Sequence, residues 1–306
     1  MAFSRRSGSL MLLLAAVIWG SAFVAQSLGM EHIGPFTFQA VRSLLGAVAL
    51  APVILLSGRI SKRKGDIPSP EQRRLLRRGG LLCGLALFVA VNLQQFGLRD
   101  TTAGKAGFLT ALYILIVPVY GLFLGHRPRP ALWVSVLVAA AGLYLLSVTE
   151  QFTVRTGDLL LILCAFAFAA QIMLVDHYGV RVNGVKLCAA QFLVCGALSG
   201  VAMLLFERPA IGPVLAAAGP LLYAGVLSSG VAYTLQILAQ RTTPPAVASL
   251  MMSLEAVFAV LAGMLVLGEQ PTPREYAGSG LMFAAILIAQ RAEGPRLEKE
   301  PLRGGS

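Results

Sequence analysis

Ten apolar stretches, most of them about 18 to 23 residues long, follow one another from Ser9 to Ala292. An α-helix rises ~1.5 Å per residue and the hydrocarbon layer of a bilayer is ~30 Å thick, so ~20 apolar residues cross it. Ten such runs in 306 residues leave almost nothing for a domain in water. In hydrocarbon each unpaired backbone group costs several kcal/mol, so spans are helices or closed barrels. Barrel strands alternate apolar and polar residues. Runs such as Leu159–Ala170 do not alternate. The expected fold is therefore all-α and polytopic, with transmembrane helices near 9–29, 35–57, 79–98, 103–125, 131–148, 157–178, 185–206, 213–236, 244–267 and 274–292.

Composition agrees, because charged residues are 13% of the chain where soluble domains carry ~25%. The net charge of +11 raises nucleic acid as a partner, and the placement of the charges argues against it. Eight basic residues crowd one segment: Arg59, Lys62, Arg63, Lys64, Arg73, Arg74, Arg77 and Arg78. Basic loops beside membrane spans mark the cytoplasmic side; binding of anionic lipid is the alternative reading. With the N-terminus inside, cytoplasmic segments hold 19 Lys+Arg and external loops hold five, Arg99, Lys105, Arg155, Arg208 and Arg274. Both termini are expected in the cytoplasm, in a cell (inner) membrane. The first run follows Arg5 and Arg6 like a signal peptide, but its apolar region is too long for one. Cys83, Cys164, Cys188 and Cys195 all lie in apolar runs without metal-ligand spacing and read as packing residues.

The chain also repeats itself. Gly8–Phe23 (GSLMLLLAAVIWGSAF) lines up with Gly157–Ile172 (GDLLLILCAFAFAAQI), so Trp19 falls on Phe168 and Arg42 on Gln191. LQQFGLRDTT at the end of helix 3 parallels LQILAQRTT at the end of helix 8, pairing Gln95 with Gln236 and Asn92 with Tyr233. Leu124-Gly125-His-Arg-Pro-Arg-Pro130 after helix 4 parallels Leu267-Gly268-Glu-Gln-Pro-Thr-Pro273 after helix 9. The expected division is 1–150 and 151–292, each a five-helix repeat, with a cytoplasmic tail at 293–306. Five is odd, so the halves point in opposite directions. Inverted repeats are a common plan of secondary transporters, in which two halves rock about a site near the midplane.

The residues then resemble a known family. Ile-Trp19-Gly20-Ser21-Ala-Phe23, Gln-Ala-Val-Arg42, Thr102-Ala-Gly-Lys105-Ala-Gly-Phe-Leu-Thr-Ala-Leu-Tyr113, and Ser-Leu-Glu255-Ala-Val-Phe with Leu-Gly268-Glu269 downstream are similar to the drug/metabolite transporter superfamily, nearest to its ten-helix EamA type. The likeness covers roughly residues 9–292. It implies two inverted five-helix repeats that move small organic solutes, often amino acids, often outward. Two positions depart from the pattern: Ala256 stands where a proline usually follows the helix 9 glutamate, and His126 where helix 4 often ends in an acidic residue.

Among single residues, Glu255 lies halfway along helix 9, where a carboxylate costs several kcal/mol unless paired, protonated or hydrated. It reads as a proton-coupling group or a contact to a substrate amine, against a structural tie between helices. Arg42 binds a substrate carboxylate, pairs with Glu255, or reaches outward to solvent. Asn92, Gln95, Tyr233 and Gln236 gain weight as cavity residues from their repeat pairing. Trp19 and Tyr113 are aromatic candidates for stacking on substrate. Asn92, Gln94, Gln95, Thr110, Gln171, Tyr233, Gln236, Ser249 and Ser253 are polar groups in spans that need partners. Gly80/Gly84, Gly121/Gly125 and Gly196/Gly200 are GxxxG pairs that allow close helix contact. Glu269, His126, His177 and His32 read as surface residues or caps at helix ends.

The functional expectation is a secondary transporter that exports small metabolites, amino acids or amphipathic compounds, by alternating access, with proton coupling through Glu255 and lipid and small molecule as its partners. An uncoupled facilitator or channel is the alternative, and an intramembrane enzyme a distant one. No G-x-x-x-x-G-K-[ST], H-E-x-x-H or G-x-S-x-G occurs and no histidine lies mid-span, so no cofactor, metal or catalytic residue is expected. Monomer and homodimer are both open.

Overall fold

The computed structural model describes residues 5–63, 68–101, 103–125, 128–147, 155–267, 270 and 272–292. His126, Gly268, Glu269 and the tail 293–306 lie outside the described residues. Among the described residues the regular structure is entirely helical. The helices are α1 (Arg5–Met30), α2 (Pro35–Arg63), α3 (Pro70–Leu98), α4a (Ala103–Ala111), α4b (Tyr113–Phe123), α5 (Pro130–Ser147), α6 (Thr156–Gly179) and α7 (Gly184–Phe206). After a short helix at Ile211–Ala216 come α8, which begins at Ala218 and ends at Ala239, α9a (Pro245–Met252), α9b (Glu255–Leu267) and α10 (Pro273–Ala292).

Among the described residues, eight helices are long and apolar enough to cross a membrane, and α5 adds a shorter apolar helix, Pro130–Leu146. The apolar surface faces outward: Phe123 is 84% exposed and Leu265 79%. Polar and charged side chains sit inside, with Arg42, Gln95, Gln191 and Glu255 all buried. That inversion of the soluble pattern is what a hydrocarbon solvent selects.

Four differences from the expectation are the largest in consequence; beyond them α1 starts four residues early, α2 runs six residues further to Arg63, and span 8 starts at Ala218 after the separate short helix. First, α3 starts at Pro70, nine residues before the expected 79. Ser69 accepts from the Gln72 N–H, Gln72 reaches back to the Ser69 N–H, and Pro70 takes the first turn. This capping box carries Arg73, Arg74, Arg77 and Arg78 on helix rather than loop. Second, span 4 breaks at Leu112, where Leu112 and Leu115 bond back three residues, to Leu109 and Leu112. Third, span 9 breaks at Ser253–Leu254 in the same way, Leu254 bonding to Met251 and Ala256 to Ser253. Fourth, Tyr223–Ala232 of α8 is a π-helix, a wide winding that concentrates at functional sites; Ser229 Oγ donates to the Ala224 carbonyl at 2.9 Å across its turn.

The packing repeats with the chain. Exchanging each helix with the one five further on maps α1–α9 contacts onto α6–α4, α2–α8 onto α7–α3, and α1–α8 onto α6–α3. The pairs α2–α7, α4–α9 and α5–α10 map onto themselves. Close approach depends on small residues. A Cβ on Gly80 would stand 2.6 Å from that of Ala190, and one on Gly84 2.6 Å from that of Val194, so α3 and α7 touch along this pair. The other GxxxG pairs behave differently. Gly196 meets Leu44, whereas Gly200 has nothing within 4 Å, and Gly125 ends α4b at φ 80° in open space.

Candidate functional site

The two helix breaks lie at equivalent places, and the two polar groups that follow them meet. Tyr113 opens α4b and Glu255 opens α9b; the Tyr113 hydroxyl donates to Glu255 Oε1 at 3.1 Å. Both line one internal cavity, with walls from α1, α2, α3, α4, α6, α8 and α9. Its free volume is about 40 Å³. A water needs ~10–15 Å³ of such space, so the cavity accommodates a few waters but no organic solute in this conformation.

Depth orders the lining. Gln26 lies four residues before the end of α1, Arg42 seven after the start of α2, and Gln94 four before the end of α3. With Thr110 these form the part nearest the end of the bundle where α2, α4, α6, α8 and α10 begin, here the distal end. Trp19, Tyr113, Phe168, Tyr233 and Glu255 occupy the middle. Gln171 and Gln236 line the part nearest the end where the chain starts.

Arg42 is held by serines of the π-helix: Nη2 donates to Ser228 Oγ at 3.0 Å and Nε to Ser229 Oγ at 3.2 Å. The Ser228 carbonyl accepts from Trp19 Nε1 at 3.4 Å, and the Trp19 ring packs edge-on against Tyr233 with centroids 4.8 Å apart. Below them Gln236 donates to Gln171 at 3.3 Å and Gln171 to Gln191 at 3.3 Å. Arg42 and Glu255 do not pair; an ion pair instead joins Lys105 to Asp158, away from the cavity. The cavity thus holds a cation bound by neutral hydroxyls and a carboxyl bound by a phenol. No cluster among the described residues has the composition of a metal site.

Six of the eight expected residues line this cavity: Trp19, Arg42, Tyr113, Tyr233, Gln236 and Glu255. Asn92 and Gln95 do not. Gln95 accepts from Gln39 Nε2 at 2.7 Å, and Asn92 Nδ2 donates to Ser199 Oγ at 3.1 Å, so both are engaged between helices. The reason is angular. One residue is ~100° of helix, and Gln94, not Gln95, turns inward, where it donates to Thr110 at 3.4 Å. Gln26, Phe23 and Ser228 join the lining without having been expected there. Trp19, Ala22, Phe23 and Gln26 follow the i, i+3, i+4, i+7 spacing of one helix face, a readable signal. Phe168 was readable as the repeat partner of Trp19. Ser228 faces inward from the π-helix, which the sequence does not announce.

The sequence profile of the EamA-like transporter family matches residues 6–148 and again residues 155–290. The chain belongs to the EamA-like transporter family. This transporter is 31% identical over 280 residues to an uncharacterized transporter of Archaeoglobus fulgidus, covering 90% of this chain and 83% of that one. It is 25% identical to YedA, an uncharacterized inner membrane transporter of Escherichia coli (strain K12), over 89% of this chain and 87% of that one. It is 27% identical to a probable terminal-alkyne amino-acid exporter of Streptantibioticus cattleyicolor, over 92% of each chain. A solved crystal structure at 21% identity superposes with a TM-score of 0.78 and covers 97% of this chain and 100% of its own, a likeness of fold.

Proposed function

We propose that this membrane transporter exports small zwitterionic metabolites, amino acids foremost, by alternating access between its two halves, 1–150 and 151–292, with both termini in the cytoplasm. The observation that carries this reading is the placement of Arg42 and Glu255 on one cavity without a pair between them. A carboxylate is recognised by a guanidinium whose remaining donors are free to fork, and an ammonium by a carboxylate. A solute bearing both charges satisfies both poles at once. The aromatic middle, Trp19, Tyr233 and Phe168, accepts an apolar or cationic side chain. Helix breaks at the midplane support the reading, because discontinuous helices build the sites of secondary transporters. Glu255 is the residue we assign to proton coupling. The amino-acid export named for the Streptantibioticus relative is of the same class.

The test is efflux from reconstituted vesicles loaded with a panel of amino acids, nucleobases and small amphiphiles, read by mass spectrometry with and without a proton gradient. Selective efflux of zwitterions driven by the gradient is the expected result. Selective efflux indifferent to the gradient removes Glu255 from coupling and makes the protein a facilitator. Efflux of nucleobases or uncharged amphiphiles in preference to zwitterions overturns the substrate class.

A further inference from the structure

The ion pair between Lys105 and Asp158 lies outside the cavity lining, and the transport reading does not use it. Lys105 Nζ stands 2.7 Å from Asp158 Oδ2. It joins α4a of the first half to α6 of the second, at the distal end of the bundle. Asp158 is 2% exposed and Lys105 17%. The same carboxylate oxygen accepts from the Arg155 N–H at 2.8 Å, which caps α6. Beside it the last turn of α3 and Asp100 just beyond it press on the start of α6: a Cβ on Gly157 would stand 2.8 Å from the Gly97 carbonyl and 2.8 Å from Asp100 Cβ. Arg155 Nη1 donates to the Asp100 carbonyl at 3.4 Å. Gln94 and Thr110 line the cavity from α3 and α4a, one to two turns inward of this closure.

The other end closes by the equivalent contact with different chemistry. There the start of α1 meets the turn between α8 and α9a, and a Cβ on Gly8 would stand 2.8 Å from Thr242 Oγ1 and 2.9 Å from Thr243 Oγ1. The alignment that places Gly8 on Gly157 puts Ser9 opposite Asp158. The one that places Gln95 on Gln236 puts Ala246 opposite Lys105. Neither counterpart carries a charge. The inverted repeat therefore has two similar closures, and the equivalent of the distal ion pair is missing from the other.

We propose that Lys105 and Asp158 form a latch holding the distal gate shut, so that the resting protein favours the conformation open toward the end bearing the termini. This rests on the alternating-access reading. A contact present in only one of two states shifts their populations by its full differential free energy. Asp158 Oδ1 is buried without a hydrogen-bond partner, so its carboxylate has little solvation besides Lys105 and the cap. Removing Lys105 leaves the Asp158 carboxylate stranded in the closed state, and opening toward water relieves it.

The experiment measures access and needs no substrate. Ala22 lines the cavity and is 1% exposed. In an Ala22→Cys background, labelling by a membrane-impermeant maleimide is timed from each side of oriented vesicles, with the parent protein and its buried cysteines as the blank. Lys105→Gln leaves the α6 cap intact, and Asp158→Asn keeps an acceptor for the Arg155 N–H. Each is expected to speed labelling from the distal side about tenfold, within the usual range of coupling in two-state proteins, and to slow it from the other side. The double variant goes no further than the faster single one, because the same interaction is lost. Unchanged labelling in both single variants overturns the latch while leaving transport standing, provided the introduced thiol reacts in the background protein. Equal acceleration from both sides overturns it too, since that is loosening of the whole bundle. Multiplying effects in the double variant mean two independent roles and no latch. An introduced thiol that reacts from neither side in any variant overturns alternating access and the latch together.

Discussion

Arg42 binds two serine hydroxyls and Glu255 accepts from one phenol, and each retains hydrogen-bonding capacity beyond these contacts. Hydrogen bonds to charged groups contribute ~1.5–3 kcal/mol. Arg42→Gln is therefore expected to raise the half-saturating concentration of a zwitterion roughly 10- to 100-fold, with Arg42→Lys in between because a point charge does not fork. Transport assays on purified variants in vesicles check this. Glu255→Gln preserves the size of the side chain and its acceptor for Tyr113 while removing the titratable proton. Flux down a concentration gradient should persist and stimulation by a proton gradient should vanish; a variant that still responds to the gradient removes Glu255 from coupling. Gln95→Leu tests the opposite case. Its bond to Gln39 ties α2 to α3 away from the cavity, and interhelical bonds in membranes average ~0.6 kcal/mol. A modest drop in melting temperature with unaltered kinetics is expected.

At the scale of elements, helix contacts are set by where side chains are missing. A Cβ on Gly84 would stand 2.6 Å from Val194 Cβ and 2.9 Å from the Gln191 carbonyl, whereas one on Gly200 meets nothing within 4 Å. Gly84→Leu should lower stability by ~1–3 kcal/mol or block assembly, as overpacking does, and Gly200→Leu should be close to neutral in the same thermal assay. Both glycines belong to GxxxG pairs, so the motif alone does not distinguish them. Helix breaks were equally unreadable. Neither Leu112 nor Ser253–Leu254 contains the proline or glycine that punctuates a helix, and Pro118 lies six residues beyond the first break. The break positions become intelligible only when the two spans are packed against each other.

At the scale of the molecule, a cavity of about 40 Å³ enclosed by both halves has to dilate before a solute enters. On the proposed reading, the two-pole site then sets what is carried. Amino-acid methyl esters lack the carboxylate and N-acetyl amino acids lack the ammonium, so each is expected to move at least about tenfold more slowly than the parent zwitterion, the loss of one charged contact at ~1.4 kcal/mol or more. Competition in efflux assays measures the ratio. An ester carried as fast as its parent removes Arg42 from recognition.

The all-helical, membrane-spanning plan and the repeat follow from the amino-acid sequence alone, because membrane insertion is decided by runs of residues whose transfer free energies add along the chain. So does the identity of most of the polar residues that line the cavity, since a buried charge in hydrocarbon is costly wherever it occurs. What the tertiary structure decided was direction and distance. A shift of one residue, ~100° of helix, separates Gln94 in the cavity from Gln95 between helices. Arg42 and Glu255 share the cavity without pairing. Lys105, which reads in the sequence as a loop charge, lies 2.7 Å from Asp158 across the two halves. Each of these depends on how helices remote in sequence are rotated and docked, and packing between helices fixes those angles rather than any local run of residues.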